Sequence, residues 1–224
     1  MSKPAVRPKD AATLVLLRHD GAAPAVLMGQ RHSGHRFMPD RYVFPGGRVD
    51  RADSYVRPAR PLRDEVARRL GRSSTPRRAQ ALAAAAVRET FEETGLVLGH
   101  PLSAPPGGVP ASWREFFAAG FAPALDGLDY ICRAVTPPFR PLRFDTRFFL
   151  ADGAPLEGAL RGNGELVDLG WVPLEEAKAL PIPTITFYVL KLVEDLIAKP
   201  PAADAERRVP LYHYLYGQHR LDYE

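Results

Sequence analysis

The sequence predicts an α+β fold in which helices lie against a mixed β-sheet. Three observations lead there. Short runs rich in Val, Leu and Phe are bounded by turn signals, and one long alanine-rich stretch carries helical spacing. Strands and helices then follow one another without regular βαβ alternation, and no internal repeat is present. The 224 residues suit a single domain over 1–224. Its core is expected at about 10–200, with an inserted segment at about 54–80 and an aromatic C-terminal tail at 201–224.

Ala11–Arg18 reads as a strand, Asp20-Gly21 as a turn, and Ala25–Gln30 as the returning strand. Arg31–Pro39 is a polar loop that contains Arg31, His32, His35 and Arg36. Tyr42-Val43-Phe44 is a short apolar strand running into the turn Pro45-Gly46-Gly47. From Asp53 to about Thr75 arginines crowd the chain and prolines at 58, 61 and 76 interrupt it; a short helix over Leu62–Leu70, closed by Gly71, fits there.

Thr75 as N-cap and Pro76 in the first turn open a long helix that runs to Thr94 and stops at Gly95. Its positions 79, 83, 86, 87, 90 and 94 are small or apolar at helical spacing and form the expected buried face. Ser112-Trp113-Arg114-Glu115 has capping-box form, and Gly120 ends the short helix that follows. Leu128–Val135, Arg143–Leu150 and Leu166–Val172 read as strands. Helices follow from Pro173 or Leu174 to about Leu180, and over Thr184–Ala198.

Composition narrows the function. Hydrophobic residues are 46% and charged residues 25%, ordinary for a globular chain. The single cysteine, Cys132, permits no intrachain disulfide. Met1–Asp10 lacks the apolar run of a secretory signal, and no stretch reaches the roughly 20 apolar residues of a membrane span. A cytoplasmic chain with no membrane partner is expected. The net charge of +4 suits a small polyanionic substrate. No basic stripe with interleaved aromatics and no zinc-finger spacing is present, so no nucleic-acid partner is expected.

The chemistry concentrates in Arg88-Glu89-Thr90-Phe91-Glu92-Glu93-Thr94-Gly95-Leu96. On a helix, 89, 92 and 93 stand at i, i+3 and i+4, so three carboxylates share one face. They repel one another there, and they sit at the negative end of the helix macrodipole, where a bare helix disfavours acids. A hard divalent cation reverses that penalty, and oxygen donors suit Mg²⁺ or Mn²⁺. The plainer reading is a solvated helix end paired with Arg88. It explains less, because the acids precede a glycine stop, Arg88 stands four residues before Glu92, and a Pro-Gly-Gly turn lies upstream.

These residues resemble the second half of the Nudix box, G-x5-E-x7-R-E-U-x-E-E-x-G-U, where U is a bulky aliphatic residue. Residues 88, 89, 92, 93, 95 and 96 match, and Gly47-Arg48-Val49-Asp50-Arg51-Ala52-Asp53 resembles the first half. The chain departs from the pattern in three places. Asp53 stands where the pattern has Glu, Thr90 replaces the aliphatic residue, and 34 residues separate Asp53 from Arg88 where the pattern has seven. Such an insertion is tolerable as a surface excursion that leaves Gly47 beside the helix. Together with Phe144-Asp145-Thr146-Arg147-Phe148-Phe149, the interrupted box resembles the branch of coenzyme A and acyl-CoA diphosphatases.

The resemblance implies an α/β/α sandwich around a mixed sheet, with a loop–helix–loop that holds Mg²⁺ or Mn²⁺. Glu89 and Glu93 would be the principal ligands, with Glu92 assisting and the Gly47 carbonyl adding an oxygen. Arg88 would orient the carboxylates. The metal would activate the attacking water, and a glutamate would serve as general base: Glu89 within the box, or Glu165 in the loop after Gly162-Asn163-Gly164. Asp145 is a weaker alternative. Arg31 and Arg48 would hold phosphates, unless they are simply solvated arginines. His32 and His35 are not needed by a hard-oxygen site. The tail tyrosines Tyr212, Tyr214, Tyr216 and Tyr223 either stack on a base or pack on the core or a subunit interface, which leaves a homodimer open.

The expected reaction is hydrolysis of a diphosphate linkage in a nucleotide derivative. Coenzyme A or an acyl-CoA leads as substrate, and ADP-ribose, NADH or a nucleotide sugar competes. A catalytically silent binding module is disfavoured by the intact acids. Isomerase chemistry is disfavoured because Cys132 lies inside a strand without an evident partner.

Overall fold

The computed structural model describes residues 6–34, 37–104 and 106–224. A nine-stranded mixed sheet organises them. At its centre β1 (Lys9–Arg18) runs parallel to β8 (Phe144–Asp152), and β7 (Asp129–Val135) continues the sheet antiparallel to β8. On its other side β1 meets two short partners in succession: β4 (Gly46–Arg48) at Ala11–Thr13 and β2 (Ala25–Arg31) at Leu17–Arg18. β3 (Tyr42–Val43) and β9 (Leu166–Pro173) both pair with β2. A separate ladder joins β5 (Gly99–Pro101) to β6 (Phe121–Pro123).

The alternation of side chains along β1 explains the layers. Ala12, Leu14 and Leu16 enter one core with the helix α2 (Pro76–Thr94), whereas Val15 and Leu17 enter another with α4 (Leu174–Ala179) and α5 (Thr184–Ala198). Helices thus cover both faces of the sheet, the α/β/α sandwich expected from sequence. Among the described residues no helix is long and apolar enough to cross a membrane.

The long helix has the bounds its local signals predict. Thr75 Oγ1 accepts from Arg78 N–H at 3.3 Å, Pro76 opens the first turn, and Gly95 closes it at φ +72°. Its burial is wider than the six-position face read from sequence. Every residue from Ala81 to Arg88 is buried. The second cover comes from the inserted segment and the following loop. Val56 and α1 (Asp64–Gly71), through Val66 and Leu70, join Trp113, Phe116 and Phe117 in the same core. Alanines let these neighbours approach the middle of α2, which is enclosed from Ala81 to Arg88.

The capping box expected at Ser112 does not form. A 3₁₀ turn at Ala111–Trp113 leads into α3 (Arg114–Ala118) without a side-chain cap, and Ser112 Oγ is buried with no hydrogen-bond partner among the described residues. Pro110 and the burial of Trp113 set the entry instead. A capping box does form at Asp50, where Asp53 Oδ2 accepts from Asp50 N–H at 2.7 Å. The aromatic tail is ordered as a hairpin. β10 (Pro210–Leu215) runs parallel to β7, and β11 (Gln218–Tyr223) lies outside it. Tyr212 stacks between Tyr188 of α5 and His219.

Candidate active site

Two backbone segments separated by the insertion converge on one end of α2. β4 is held against β1 by antiparallel pairing of Ala12 with Gly47 and Thr13 with Gly46. That pairing aims the Gly46 N–H at the helix, where Glu93 Oε2 accepts it at 2.8 Å. Gly47 is closer still to the acids: a Cβ there would lie 2.4 Å from Glu89 Oε2. The insertion therefore leaves Gly47 beside the helix, as the box requires.

Arg88 joins the carboxylates to the strand. Its Nε and Nη2 donate to the two oxygens of Asp53 at 2.8 and 3.0 Å, a bidentate pair on a carboxylate with no solvent exposure. Nη1 reaches Glu89 Oε1 and Glu92 Oε2, each at 2.9 Å, and Nη2 also donates to the Arg48 carbonyl at 3.1 Å. Trp113 Nε1 donates to Asp53 at 2.9 Å. One guanidinium thus ties together β4, the 3₁₀ turn at Arg51–Ser54 and the acidic end of α2. Trp113 was not among the residues singled out from sequence; its indole was legible only as a hydrophobic position in a short helix.

Burial sets the electrostatics. Desolvation pushes the Glu89 carboxyl up to about 7, against the pull of Arg88. The same cause raises Glu92, and it raises Glu93 well above the usual carboxylate range despite the Gly46 hydrogen bond. Arg31 lies at the end of β2, where burial lowers its pKa while Glu93 and Glu165 oppose that shift. Its Nη1 donates to the Phe37 carbonyl at 2.7 Å. Glu165 is exposed just before β9, where its carbonyl accepts from His32 N–H and its charge helps to raise Glu92 and Glu93.

The other sequence candidates lie elsewhere. Arg48 lines a cavity of about 430 Å³ with Lys9, Arg51, Arg77, Arg78 and the acids Asp10 and Asp50, and no glutamate lines it. His32 Nδ1 accepts from Gly34 N–H within its own turn, and His35 falls outside the described residues. Asp145 is corrected as a base candidate. Arg133 grips both its oxygens at 2.8 and 2.9 Å and Arg147 pairs with it at 2.6 Å, so these partners hold it below its usual range against desolvation. Cys132 is buried in β7 and burial pushes its thiol up, which removes it as a nucleophile.

No family model and no curated protein matches the chain. Among solved structures, a NUDIX hydrolase from Alicyclobacillus acidocaldarius superposes with a TM-score of 0.66 at 32% identity, over 87% of this chain and 97% of that one. The chain belongs to the Nudix hydrolase family. A mutator MutT protein from Bacillus halodurans agrees in fold, with a TM-score of 0.50 at 16% identity over 96% of this chain and 97% of that one.

As a Nudix hydrolase the protein acts on diphosphate linkages, and the family typically uses a divalent metal. The donors fit such an ion in kind. Three carboxylates with raised pKa values are grouped at the end of α2, and a backbone lacking a side chain at Gly47 lies against one of them. In geometry they are held apart. Among the described residues no three His, Cys, Asp or Glu side chains converge as a cage, because Arg88 holds Glu89 and Glu92 while Gly46 holds Glu93.

Proposed function

We propose that the protein hydrolyses a nucleoside diphosphate derivative at one P–O bond, yielding two phosphate monoesters, with Glu89, Glu92 and Glu93 as the metal-binding acids. The observation that carries this reading is the meeting of Glu93 and Glu89 with the Gly46–Gly47 strand, with Glu89 and Glu92 held together by Arg88. Mg²⁺ or Mn²⁺ bound there would neutralise phosphate charge and acidify water. The Gly47 carbonyl is proposed as a further oxygen donor.

Each residue has a distinct task in this reading. Arg88 is a positioning residue: its anchorage on Asp53 fixes the direction from which it presents Glu89 and Glu92. Arg31, facing Glu93 and Glu165, holds a substrate phosphate by charge-assisted hydrogen bonds. Arg48 supplies positive potential from the neighbouring basic cavity. The proton of the attacking water would pass to Glu165, whose carbonyl accepts from His32 N–H next to Arg31 and which has no ion-pair partner among the described residues, or to Glu89 within the box.

Coenzyme A or an acyl-CoA, cut to 3′,5′-ADP and a phosphopantetheine, is the leading substrate on the strength of the interrupted box. Within the Phe144–Phe149 motif, Asp145 and Arg147 belong to a buried ion-pair network. Incubation of the protein with CoA, ADP-ribose and NADH, with and without Mg²⁺, tests both levels. Release of 3′,5′-ADP from CoA only with the metal is the expected result. Cleavage of ADP-ribose and not CoA would overturn the substrate, and cleavage of no diphosphate with Mg²⁺ or Mn²⁺ would overturn the reaction.

A further inference from the structure

β11 is the outermost strand of the sheet, exposed at all six residues, and no strand pairs with its outer edge among the described residues. The hairpin turn fixes which of its backbone groups face outward. Tyr216 and Gly217 have φ of +51° and +83°, as a two-residue type I′ turn demands. At the far end Val209 and Glu224 exchange both hydrogen bonds at 2.9 Å. Bonded pairs alternate along an antiparallel ladder, so Gln218, Arg220, Asp222 and Glu224 point their N–H and C=O groups at β10. His219, Leu221 and Tyr223 point theirs away.

We propose that β11 pairs antiparallel with β11 of a second copy of this chain, about a two-fold axis at Leu221. Any register centred on a residue lets both strands use these groups; centring on Arg220 or Asp222 sets like charges opposite one another, and Leu221 is the outward-facing residue between them. Leu221 then exchanges hydrogen bonds with Leu221 of the second copy, and His219 does so with Tyr223. The same register sets Arg220 opposite Asp222 of the second copy, twice by symmetry. Charge complementarity therefore agrees with the hydrogen-bond phase. On the opposite face Leu221, 41% exposed, meets its symmetry mate, and Tyr223, 49% exposed, meets His219 of the second copy. An unpaired strand of this length is a template for such addition.

The full-length chain, followed by sedimentation over a range of concentrations, tests the pairing. The expected wild-type behaviour is a reversible dimer. Leu221→Pro deletes an outward N–H and no bond to β10, so a folded chain of monomer mass is expected. Arg220→Asp and Asp222→Arg each place like charges opposite one another and are expected to weaken the dimer at least tenfold. Mixing these two variants restores both ion pairs and should restore the dimer. A wild-type chain that stays monomeric at every concentration overturns the proposal. So does a dimer that survives Leu221→Pro, or a mixture of the charge variants that stays monomeric, provided circular dichroism shows the variants folded.

Discussion

Gly46 donates its N–H to Glu93 Oε2 at 2.8 Å, bridging 47 residues of sequence and closing the two halves of the box on each other. The neighbouring glycine does a different job, and substitution separates the two. A Cβ on Gly46 would lie 2.4 Å from the Ala12 carbonyl and 2.6 Å from Thr13 Cα, both backbone atoms that cannot yield. The three atoms nearest to a Cβ on Gly47 would all belong to the flexible carboxylate of Glu89. Gly46→Ala is therefore expected to cost about 1–3 kcal/mol by overpacking, seen as roughly 2–4 °C of Tm per kcal/mol. Gly47→Ala should keep most of its Tm and lose turnover, because the Glu89 side chain can swing away. Calorimetry and a diphosphate hydrolysis assay on both variants give the comparison.

Asp53→Ala removes the buried partner of Arg88 and of the Trp113 indole. Breaking a buried ion pair from one side costs about 3–5 kcal/mol, because the remaining charge has no water to turn to. Urea denaturation should show a loss of that size. Asp53→Glu, which restores the carboxylate, should recover most of it.

The pH dependence of the metal-free protein has a definite sign. Burial raises Glu89 to about 7 and moves Glu92 and Glu93 in the same direction. The folded chain holds these protons more tightly than the unfolded one. The contribution of Glu89 to stability is thus full below its ordinary value of 4.5 and lost as pH climbs through about 7. Thermal melts in chelator should show the Tm falling across that window, with a shallower fall in Glu89→Gln. Adding Mg²⁺ above pH 7 should raise the Tm, since a ligand that binds only the folded state stabilises it.

Asp145 lies at the crossing of Arg78, Arg133 and Arg147. Asp145→Asn leaves these cations facing a neutral amide, and a stability loss of about 3–5 kcal/mol is expected. Turnover per folded molecule should be unchanged, because Asp145 touches none of the three glutamates of the box. Kinetics normalised to the folded fraction check this.

Much of this architecture was legible in local sequence. Thr75, Pro76 and Gly95 mark the ends of α2 by caps that depend on a few adjacent residues, and the glutamates at 89, 92 and 93 follow from helical spacing alone. What was not legible depends on distant residues. The all-round burial of α2 comes from Val56, α1 and Trp113, and no periodicity within 76–94 announces those neighbours. Ser112 carried the letters of a cap, yet Pro110 and the burial of Trp113 decided its backbone. The hairpin at 210–223 was hidden because its residues are mostly polar or aromatic, and from the sequence they read only as an aromatic tail. Asp53 looked like a shortened glutamate; its worth lies in the hydrogen bonds it accepts from Arg88 and Trp113.

Mn²⁺ binding by Glu93→Gln, measured by electron paramagnetic resonance alongside its turnover, bears most directly on the metal-binding acids. The side chain keeps its size and can still accept from Gly46, so only the charge is lost. The account predicts weaker Mn²⁺ binding and a fall in turnover on the order of 100-fold, the scale of losing an electrostatic catalytic group. Unchanged Mn²⁺ affinity together with wild-type turnover would contradict it.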